Sequence, residues 1–308
     1  MQPVILDCDP GHDDALALLV ALASDEIELL GVSTVAGNQT VALTTANALA
    51  VLEYVGRGDL PVASGANRPL VRELAVAADV HGETGLDGAE IPASSLTPHA
   101  LHAIDWIATT VRSSAVPVTI VATGPLTNIA LLLARYPGVE AQIARIVMMG
   151  GSIGEGNVTP AAEFNVWADP EAAHRVMTSG LAVTMVGLDV THQALLTEQH
   201  LTELAAAGHA GRLVANLYDF YLRYHVERYG WNGAPAHDAL AMAFAIDAAT
   251  LTVVPCGVVV DTGSDPSRGR TYVDRWAATG WPINAQVAVD VDKDRFLHMV
   301  CERVGRLG

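Results

Sequence analysis

The segment that decides the fold lies at the start of the chain, where an apolar run leads into four aspartates: Val4-Ile5-Leu6-Asp7-Cys8-Asp9-Pro10-Gly11-His12-Asp13-Asp14. A short apolar run ended by Pro-Gly is typical of a buried strand. The carboxylates that follow it repel one another unless a cation lies among them, and no Lys or Arg occurs in the first 56 residues. Hard divalent cations prefer oxygen ligands. The segment therefore predicts a metal site at the carboxyl edge of a sheet, where α/β proteins bind ligands.

Outward from this segment, short apolar strands alternate with helical stretches. The pattern predicts strands over residues 3–8, 29–35, 61–63, 118–121, 146–149 and 183–186, and helices over residues 13–23, 41–55, 104–111 and 126–134. Such strands, interleaved with helices, indicate an open, mostly parallel α/β sheet flanked by helices on both faces. We expect one domain over residues 1–308, with long loops at 72–98 and 224–235 that could bind ligands.

The composition excludes several classes of partner. A formal net charge of -17 opposes binding to nucleic-acid backbones and to anionic membranes. No run approaches the ~20 apolar residues of a membrane span, and the start lacks the features of a secretory signal. Three scattered cysteines suit a reducing compartment, and alternation along the strand should turn Cys8 away from its neighbouring aspartates into the core. We therefore expect a cytoplasmic protein that acts on a small molecule.

Two polar segments further along the chain indicate a functional site only when they are considered together. His237 and Asp238 begin an Ala-rich helix, which is a common helix start. Asn157, Glu163 and Asn165 follow the strand predicted at 146–149, where they could bind sugar hydroxyls or simply form turns. Neither segment would identify a site alone.

Taken together, these segments resemble the inosine–uridine-preferring nucleoside hydrolase family. The opening run fits the family motif DxDxGxDD. The resemblance continues, in order and with matching spacing, through Val35-Ala36-Gly37-Asn38-Gln39-Thr40, Thr123-Gly124-Pro125-Leu126-Thr127-Asn128, Met149-Gly150-Gly151, Ala162-Glu163-Phe164-Asn165 and His237-Asp238. It implies a Rossmann-like core and Ca²⁺-dependent hydrolysis of the N-glycosidic bond of ribonucleosides to free base and ribose, as in purine and pyrimidine salvage. Relatives are commonly homotetramers or dimers, so a homo-oligomer is expected.

The resemblance also implies roles for the matching residues. The calcium ligands would be Asp9, Asp14, the backbone carbonyl of Thr123 and Asp238, with Asp9 also the general base on the attacking water; Asp7 would be a support behind them. The substrate-binding residues would be Asp13, Asn38, Met149, Asn157, Glu163 and Asn165.

The departing base needs a proton, because an anionic nucleobase is a poor leaving group. His237 is expected to supply it, since an unperturbed His has a pKa near ~6.5. His81 also matches a family position and is the second candidate, whereas His192 is expected to be structural. Base contacts are expected from the loop before His237, through Tyr221, His225, Tyr229 and Trp231. The position of Tyr229 gives a slight preference for pyrimidine ribonucleosides.

Two alternatives belong to other classes. A haloacid-dehalogenase-like phosphatase also ends its first strand in DxD, but it lacks the following Gly-x-Asp-Asp and requires a Lys, whereas Lys293 is the only lysine of this chain. A non-catalytic nucleoside-binding protein would be expected to have lost part of the constellation, and none of the mapped positions is lost.

Overall fold

The opening strand lies inside a nine-stranded sheet in the computed structural model, which describes residues 1–308. The strands are β1 (Gln2–Cys8), β2 (Ile27–Thr34), β3 (Val62–Ser64), β4 (Val118–Ala122), β5 (Ile143–Met149), β6 (Val183–Val186), β7 (Leu195–Leu196), β8 (Ala234–Pro235), β9 (Leu251–Val260), β10 (Thr271–Asp274) and β11 (Ala285–Val291). The helices are α1 (His12–Leu22), α2 (Val41–Tyr54), α3 (Ala78–His81), α4 (Ala103–Ser113), α5 (Thr127–Arg135), α6 (Phe164–Ala168), α7 (Pro170–Met177), α8 (Leu188–Thr191), α9 (Glu198–Ala206), α10 (His209–Tyr229), α11 (His237–Ile246) and α12 (Lys293–Gly305). β7 and β8 form a separate two-stranded ribbon.

The large sheet is parallel over most of its width. Its strand order is β10-β9-β11-β6-β5-β4-β1-β2-β3, and every neighbouring pair from β11 to β3 is parallel. Only β9 runs antiparallel to its neighbours, β10 and β11. The predicted mostly parallel α/β sheet is therefore confirmed, whereas its antiparallel end was not predicted.

The strand order creates a crevice beside β1. From β1 the chain builds outward through β2 and β3, and then it returns to the other side of β1 to build β4, β5 and β6. Such a switch in direction opens a crevice at the carboxyl ends of the two central strands. In the register, Asp7 of β1 lies opposite Ala122 of β4, so the residues that follow these strands meet there.

Helices cover both faces of the sheet and form two apolar cores. One core takes side chains from α1, α2, α10, α11 and α12, and the other from α4, α5 and α7. Helices α1 and α11 pack against each other and are buried almost all round. The small side chains of α11, an Ala-rich helix, allow this close packing. No helix combines the length and the apolar character that a membrane span requires.

The first half of one predicted loop is helical. The prediction of a loop over residues 224–235 is wrong for its first half, because α10 continues to Tyr229 and ends at Gly230 with φ of 68°. A left-handed residue is a common helix end, and Gly adopts it without strain. Tyr221, His225 and Tyr229 are spaced four residues apart, so they share one face of α10. Polar and aromatic residues with low helix propensity concealed this helical spacing.

A buried cap links the loops near the crevice. Asp169 precedes α7 and accepts hydrogen bonds from the backbone N–H of Ala172 at 3.0 Å, the backbone N–H of Leu70 at 2.9 Å and the Thr127 hydroxyl at 2.7 Å. It is fully buried, so its removal would leave three donors without a partner.

We expect Asp169→Ala to reduce the free energy of unfolding by about 2–4 kcal/mol, since a cap and buried donors are lost together. The matched control is Asp292→Ala, because Asp292 caps α12 on the exposed surface through one bond to the backbone N–H of Arg295 at 3.0 Å. Its loss should cost about 1 kcal/mol or less. Urea unfolding of both variants measures the difference, and equal losses would show that the buried network adds nothing to the cap.

Candidate active site

Four carboxylates meet at the crevice between β1 and β4. Asp9 follows β1, Asp13 and Asp14 lie in the first turn of α1, and Asp238 lies in the first turn of α11. None is more than 4% exposed, and side-chain oxygens of Asp13, Asp14 and Asp238 lie within 4.8 Å of one another. Helix N-termini carry partial positive charge, so this arrangement of α1 and α11 favours the clustered acids.

Asp9 accepts a hydrogen bond through only one of its two carboxylate oxygens. Its Oδ2 accepts a hydrogen bond from the backbone N–H of Asn38 at 2.7 Å, while its buried Oδ1 has no hydrogen-bond partner. The chain approaches so closely here that a Cβ atom at Gly37 would collide with Asp9 Oδ2. Gly37 is therefore required by space at this position. The result is a carboxylate with one fixed oxygen and one free oxygen.

Asp14 is bound more completely than Asp9. It accepts hydrogen bonds from the backbone N–H of Gly11 and the Asn38 side-chain amide, each at 3.0 Å, and from the Thr123 hydroxyl at 2.8 Å. These donors come from the turn after β1, the turn after β2 and the end of β4. Asp14 therefore ties together the three segments that form the crevice.

The carboxylates retain protons more strongly than exposed aspartates do. Burial raises the pKa of Asp9, Asp13, Asp14 and Asp238, and repulsion by neighbouring members of the cluster raises the pKa of Asp9, Asp13 and Asp238 further. The pKa of Asp13 reaches about 8. Asp13 Oδ1, like Asp9 Oδ1, is buried without a hydrogen-bond partner. Carboxylate oxygens that are buried and receive no hydrogen bond can instead bind a divalent cation, and a cation would also offset the repulsion within the cluster.

A cleft of about 330 Å³ opens onto this cluster. That volume falls within the range of about 300–1,000 Å³ that small-molecule sites occupy. Fourteen of the sixteen predicted site residues line it: Asp13, Asn38, His81, Thr123, Met149, Asn157, Glu163, Asn165, Tyr221, His225, Tyr229, Trp231, His237 and Asp238. The other two, Asp9 and Asp14, are buried next to the cleft and bond to its lining residue Asn38. The structure thus brings all sixteen residues to one place.

One wall of the cleft is built from polar side chains near α6. Glu163 caps α6 and accepts hydrogen bonds from the backbone N–H groups of Gly151 and Asn165 at 2.8 Å and of Val166 at 3.1 Å. Burial raises the pKa of Glu163 to about 7 despite these bonds. Asn165 donates its amide to the carbonyl of Thr123 at 2.7 Å, and its Oδ1 is left free to accept. This wall therefore offers fixed acceptors.

Histidines and aromatic rings form the opposite end of the cleft. His237 Nδ1 lies 2.7 Å from the Thr191 hydroxyl, and burial beside His192, His225 and His81 lowers the pKa of His237 well below 6.5. The expectation of an ordinary pKa for this residue is therefore wrong, and its ring is neutral at pH 7. The rings of Tyr229 and Trp231 stack with centroids 4.7 Å apart.

The sequence did not reveal every residue around the cleft. Val76 and Trp167 line it, although nothing in their local sequence indicated a site. His192, expected to be structural, also lines it and has its ring 5.6 Å from that of His237. His12 lies directly behind His81, and its presence inside the opening motif was the signal that could have revealed it. Asp7 lies away from the cleft and bonds to Ser33 and Asn128.

Comparison with known proteins gives this site a family. The sequence profile of the inosine-uridine preferring nucleoside hydrolases matches residues 4–298. A pyrimidine-specific ribonucleoside hydrolase, RihA, from Shewanella sp. (strain ANA-3) is 49% identical over 303 residues, covering 98% of this chain and 95% of its own length. RihA from Salmonella arizonae is 48% identical over 304 residues, covering 98% of each chain.

Solved structures agree. A purine-preferring ribonucleoside hydrolase from Gardnerella vaginalis superposes with a TM-score of 0.94 at 36% sequence identity, with 99% of each chain covered. This agreement in sequence and fold excludes the phosphatase alternative. The chain therefore belongs to the inosine-uridine preferring nucleoside hydrolase family and is an N-ribosyl hydrolase that acts on ribonucleosides.

Proposed function

We propose that this protein is a Ca²⁺-dependent hydrolase with a preference for pyrimidine ribonucleosides, which it splits into free base and ribose. The observation that carries the proposal is the group of four buried carboxylates beside a cleft of nucleoside size. Asp9 would act as general base. His237 would protonate the leaving base, and His81 is the second candidate for that task.

The residues present fit a calcium ion. In our proposal Asp9, Asp14, the carbonyl of Thr123 and Asp238 hold it; Asp13 is the further carboxylate at the same point. All of these donors are oxygens, as calcium requires, and Asp9 Oδ1 is buried without any other partner. When bound, calcium would compensate the carboxylate charge, orient the ribose hydroxyls and make the attacking water more acidic.

Asp9 has the properties of a general base. Its Oδ2 is fixed by Asn38, so its free Oδ1 is the atom that can accept a proton from water. A carboxylate beside a metal-bound water is a suitable acceptor for the proton of that water. A carboxylate at this point also stabilises the positive charge that develops on the ribose as the bond breaks.

The polar wall supports recognition of ribose. Asn165 keeps a free acceptor, and Asn157 uses its side-chain carbonyl on the backbone N–H of Phe164 at 2.9 Å, which leaves its amide free to donate. Asp13 has an oxygen without a partner, and Glu163 retains lone pairs beyond its three backbone donors. Asn38 and Met149 complete this end of the cleft. All of these residues except Asn157, which is exposed, are buried. Buried polar groups penalise analogues that lack a hydroxyl, because such analogues leave them without a partner.

His237 can donate a proton once its neutral ring has taken up a second proton from solvent. In the doubly protonated ring, Nδ1–H donates to the Thr191 hydroxyl oxygen, and Nε2–H is free to bond to the nucleobase. As the N-glycosidic bond breaks, its electron pair leaves with the base, the base takes the Nε2 proton, and the ring returns to its neutral form. An imidazolium is a strong enough acid to protonate the departing base.

Two considerations favour pyrimidine bases. The curated relatives at 48–49% identity are pyrimidine-specific, whereas the purine-preferring structure is only 36% identical. The aromatic end, formed by Tyr221, His225 and Tyr229 with Trp231, offers ring faces on which a base can stack.

We also propose a single catalytic domain that works in the cytoplasm as a homo-oligomer, a tetramer or a dimer. One sheet takes strands from Gln2 to Val291, which supports a single domain. Free cysteines, with Cys8 and Cys256 buried, suit a reducing compartment.

A panel of uridine, cytidine, inosine and adenosine tests the substrate and the metal together. We expect free ribose from all active substrates, with kcat/KM for uridine or cytidine at least about tenfold above that for inosine, which is ~1.4 kcal/mol of discrimination. Chelator should abolish turnover, and added Ca²⁺ should restore it. Undiminished activity in chelator would contradict the metal site, and faster inosine cleavage would contradict the pyrimidine preference.

Asp9→Asn should lower kcat for uridine by at least about a thousandfold, because the general base and a metal ligand are lost together. Asp7→Asn is the matched control two residues away. Both donors to Asp7, from Ser33 and Asn128, bond to Oδ1, which asparagine retains, so this variant should keep most of its turnover. A reducing-sugar assay measures both, and near-normal turnover in Asp9→Asn would refute its role.

His237→Ala should impair natural nucleosides about 10²- to 10⁴-fold, the usual contribution of a general acid. The loss should be far smaller for p-nitrophenyl riboside, whose leaving group needs no proton. Comparing kcat/KM for the two substrates in variant and wild type isolates the leaving-group step. Equal losses would assign His237 to binding or packing instead.

A further inference from the structure

His12 belongs to the opening segment, but it has no role in the proposed mechanism. Its side chain is buried, and it reaches two groups outside the carboxylate cluster. Nε2 lies 2.7 Å from the backbone carbonyl oxygen of Asp87, and Nδ1 lies 3.1 Å from Nδ1 of His81. The ring also stacks on its neighbours, with centroid distances of 5.3–5.4 Å to His81, Phe220 and Tyr221.

These contacts determine which nitrogens carry protons. A backbone carbonyl can only accept, so His12 donates from Nε2, and its neutral ring is left with a bare Nδ1. If His81 Nδ1 were also bare, two lone pairs would face each other across 3.1 Å. The backbone N–H of His12 also donates to His81 Nδ1, at 3.4 Å, and on its own this bond would favour a bare Nδ1. The contact between the two rings is the shorter of the two, at 3.1 Å, and we give it the greater weight. On that basis His81 carries its proton on Nδ1 and donates it to His12.

The remaining nitrogen of His81 is the one available to a ligand. His81 lines the cleft, whereas His12 does not, and Nδ1 is turned towards His12. No protein group bonds to His81 Nε2. While the His81 ring is neutral, Nε2 therefore carries no proton and can accept a hydrogen bond. Any proton that the ring exchanges with a ligand must pass through Nε2.

We propose that His12 is a positioning residue that holds His81 in the Nδ1–H tautomer, so that Nε2 alone exchanges a proton with the leaving base. This inference rests on the proposed function. Nε2 first takes a proton from solvent water. As the N-glycosidic bond breaks, its electron pair leaves with the base, the Nε2 proton passes to the base, and the ring returns to the neutral form that donates to His12.

Packing alone would predict a different response to substitution. His12→Phe retains an aromatic ring for the stack but removes both nitrogens. His12→Asn gives up the ring but places Oδ1 near the position of Nδ1, where it can accept the His81 proton. The matched control is His209→Phe: His209 stacks on Tyr54 with centroids 4.0 Å apart and has Nε2 3.2 Å from the Tyr54 carbonyl, outside the cleft.

The first test is spectroscopic and needs no turnover. Long-range ¹H–¹⁵N correlation spectra of protein labelled with ¹⁵N-histidine distinguish the two neutral tautomers, and the His81 signals are assigned as those absent from His81→Gln. We expect His81 with Nδ1 protonated and Nε2 bare in the wild type and in His12→Asn, and mixed tautomers in His12→Phe. A wild-type His81 protonated on Nε2 would overturn the proposal, whether or not any variant folds.

The second test is kinetic. His12→Phe should lower kcat for uridine about 10- to 100-fold with KM changed less than about threefold, and p-nitrophenyl riboside turnover should change less than about threefold. His12→Asn should recover uridine turnover to within about threefold of wild type, and His209→Phe should match wild type. Equal losses in His12→Phe and His12→Asn on both substrates would indicate packing only and refute the proposal. If the wild type cleaves no ribonucleoside, the proposed function fails while the tautomer measurement still decides the role of His12.

Discussion

Repulsion among buried carboxylates is the constraint on which the rest of this structure depends. Two charges 4 Å apart at a protein surface interact by about 4 kcal/mol, and the whole stability of a domain is only about 5–15 kcal/mol. Asp9, Asp13, Asp14 and Asp238 could not all be ionised in the fold without compensation. The chain supplies part of it through the N-termini of α1 and α11 and through N–H and O–H donors around Asp9 and Asp14. The remainder must come from protons or from a cation, and this need makes the cluster suited to a metal ion.

The same burial has the opposite effect on the histidines at the other end of the cleft. Removal from water raises the pKa of a carboxyl and lowers that of an imidazole, so acids are pushed towards retaining protons and histidines towards losing them. Burial lowers the pKa to about 4 for His192 and His225 at this end, and also for His12 behind His81. The cleft therefore has one end of crowded carboxyl groups, which need protons or a cation, and one neutral, hydrogen-bonding end. A nucleoside, with a polar ribose and an uncharged flat base, has the same polarity.

The sequence revealed the central sheet and the carboxylate cluster more fully than the aromatic end of the cleft. Predicted strands and helices match β1 to β6 and α1, α2, α4 and α5 within a few residues, because buried parallel strands are short apolar runs. Asp9 could be placed from the sequence because it directly follows a buried apolar strand, whereas Thr123 was assigned only through the family resemblance. The helix carrying Tyr221, His225 and Tyr229 could not be predicted, because its residues favour no single structure locally. Packing against the rest of the protein determines that this segment is helical. The lowered pKa of His237 was also beyond prediction, because it comes first from burial in the fold and then from His192, His225 and His81, which are distant in sequence.

The two ends of the cleft differ in how the fold supports them, and this has a consequence for specificity. The carboxylates are held by the central strands and by α1 and α11, which are buried almost all round, so a change there would disturb the core. The aromatic wall lies on the last turns of α10 and the segment beyond Gly230, where Tyr229 is 39% exposed and Trp231 is partly exposed. Side chains there can change without altering the sheet. On our proposal that this wall contacts the base, base preference can diverge while the fold remains, and a purine-preferring hydrolase indeed has this fold, with a TM-score of 0.94 at 36% identity.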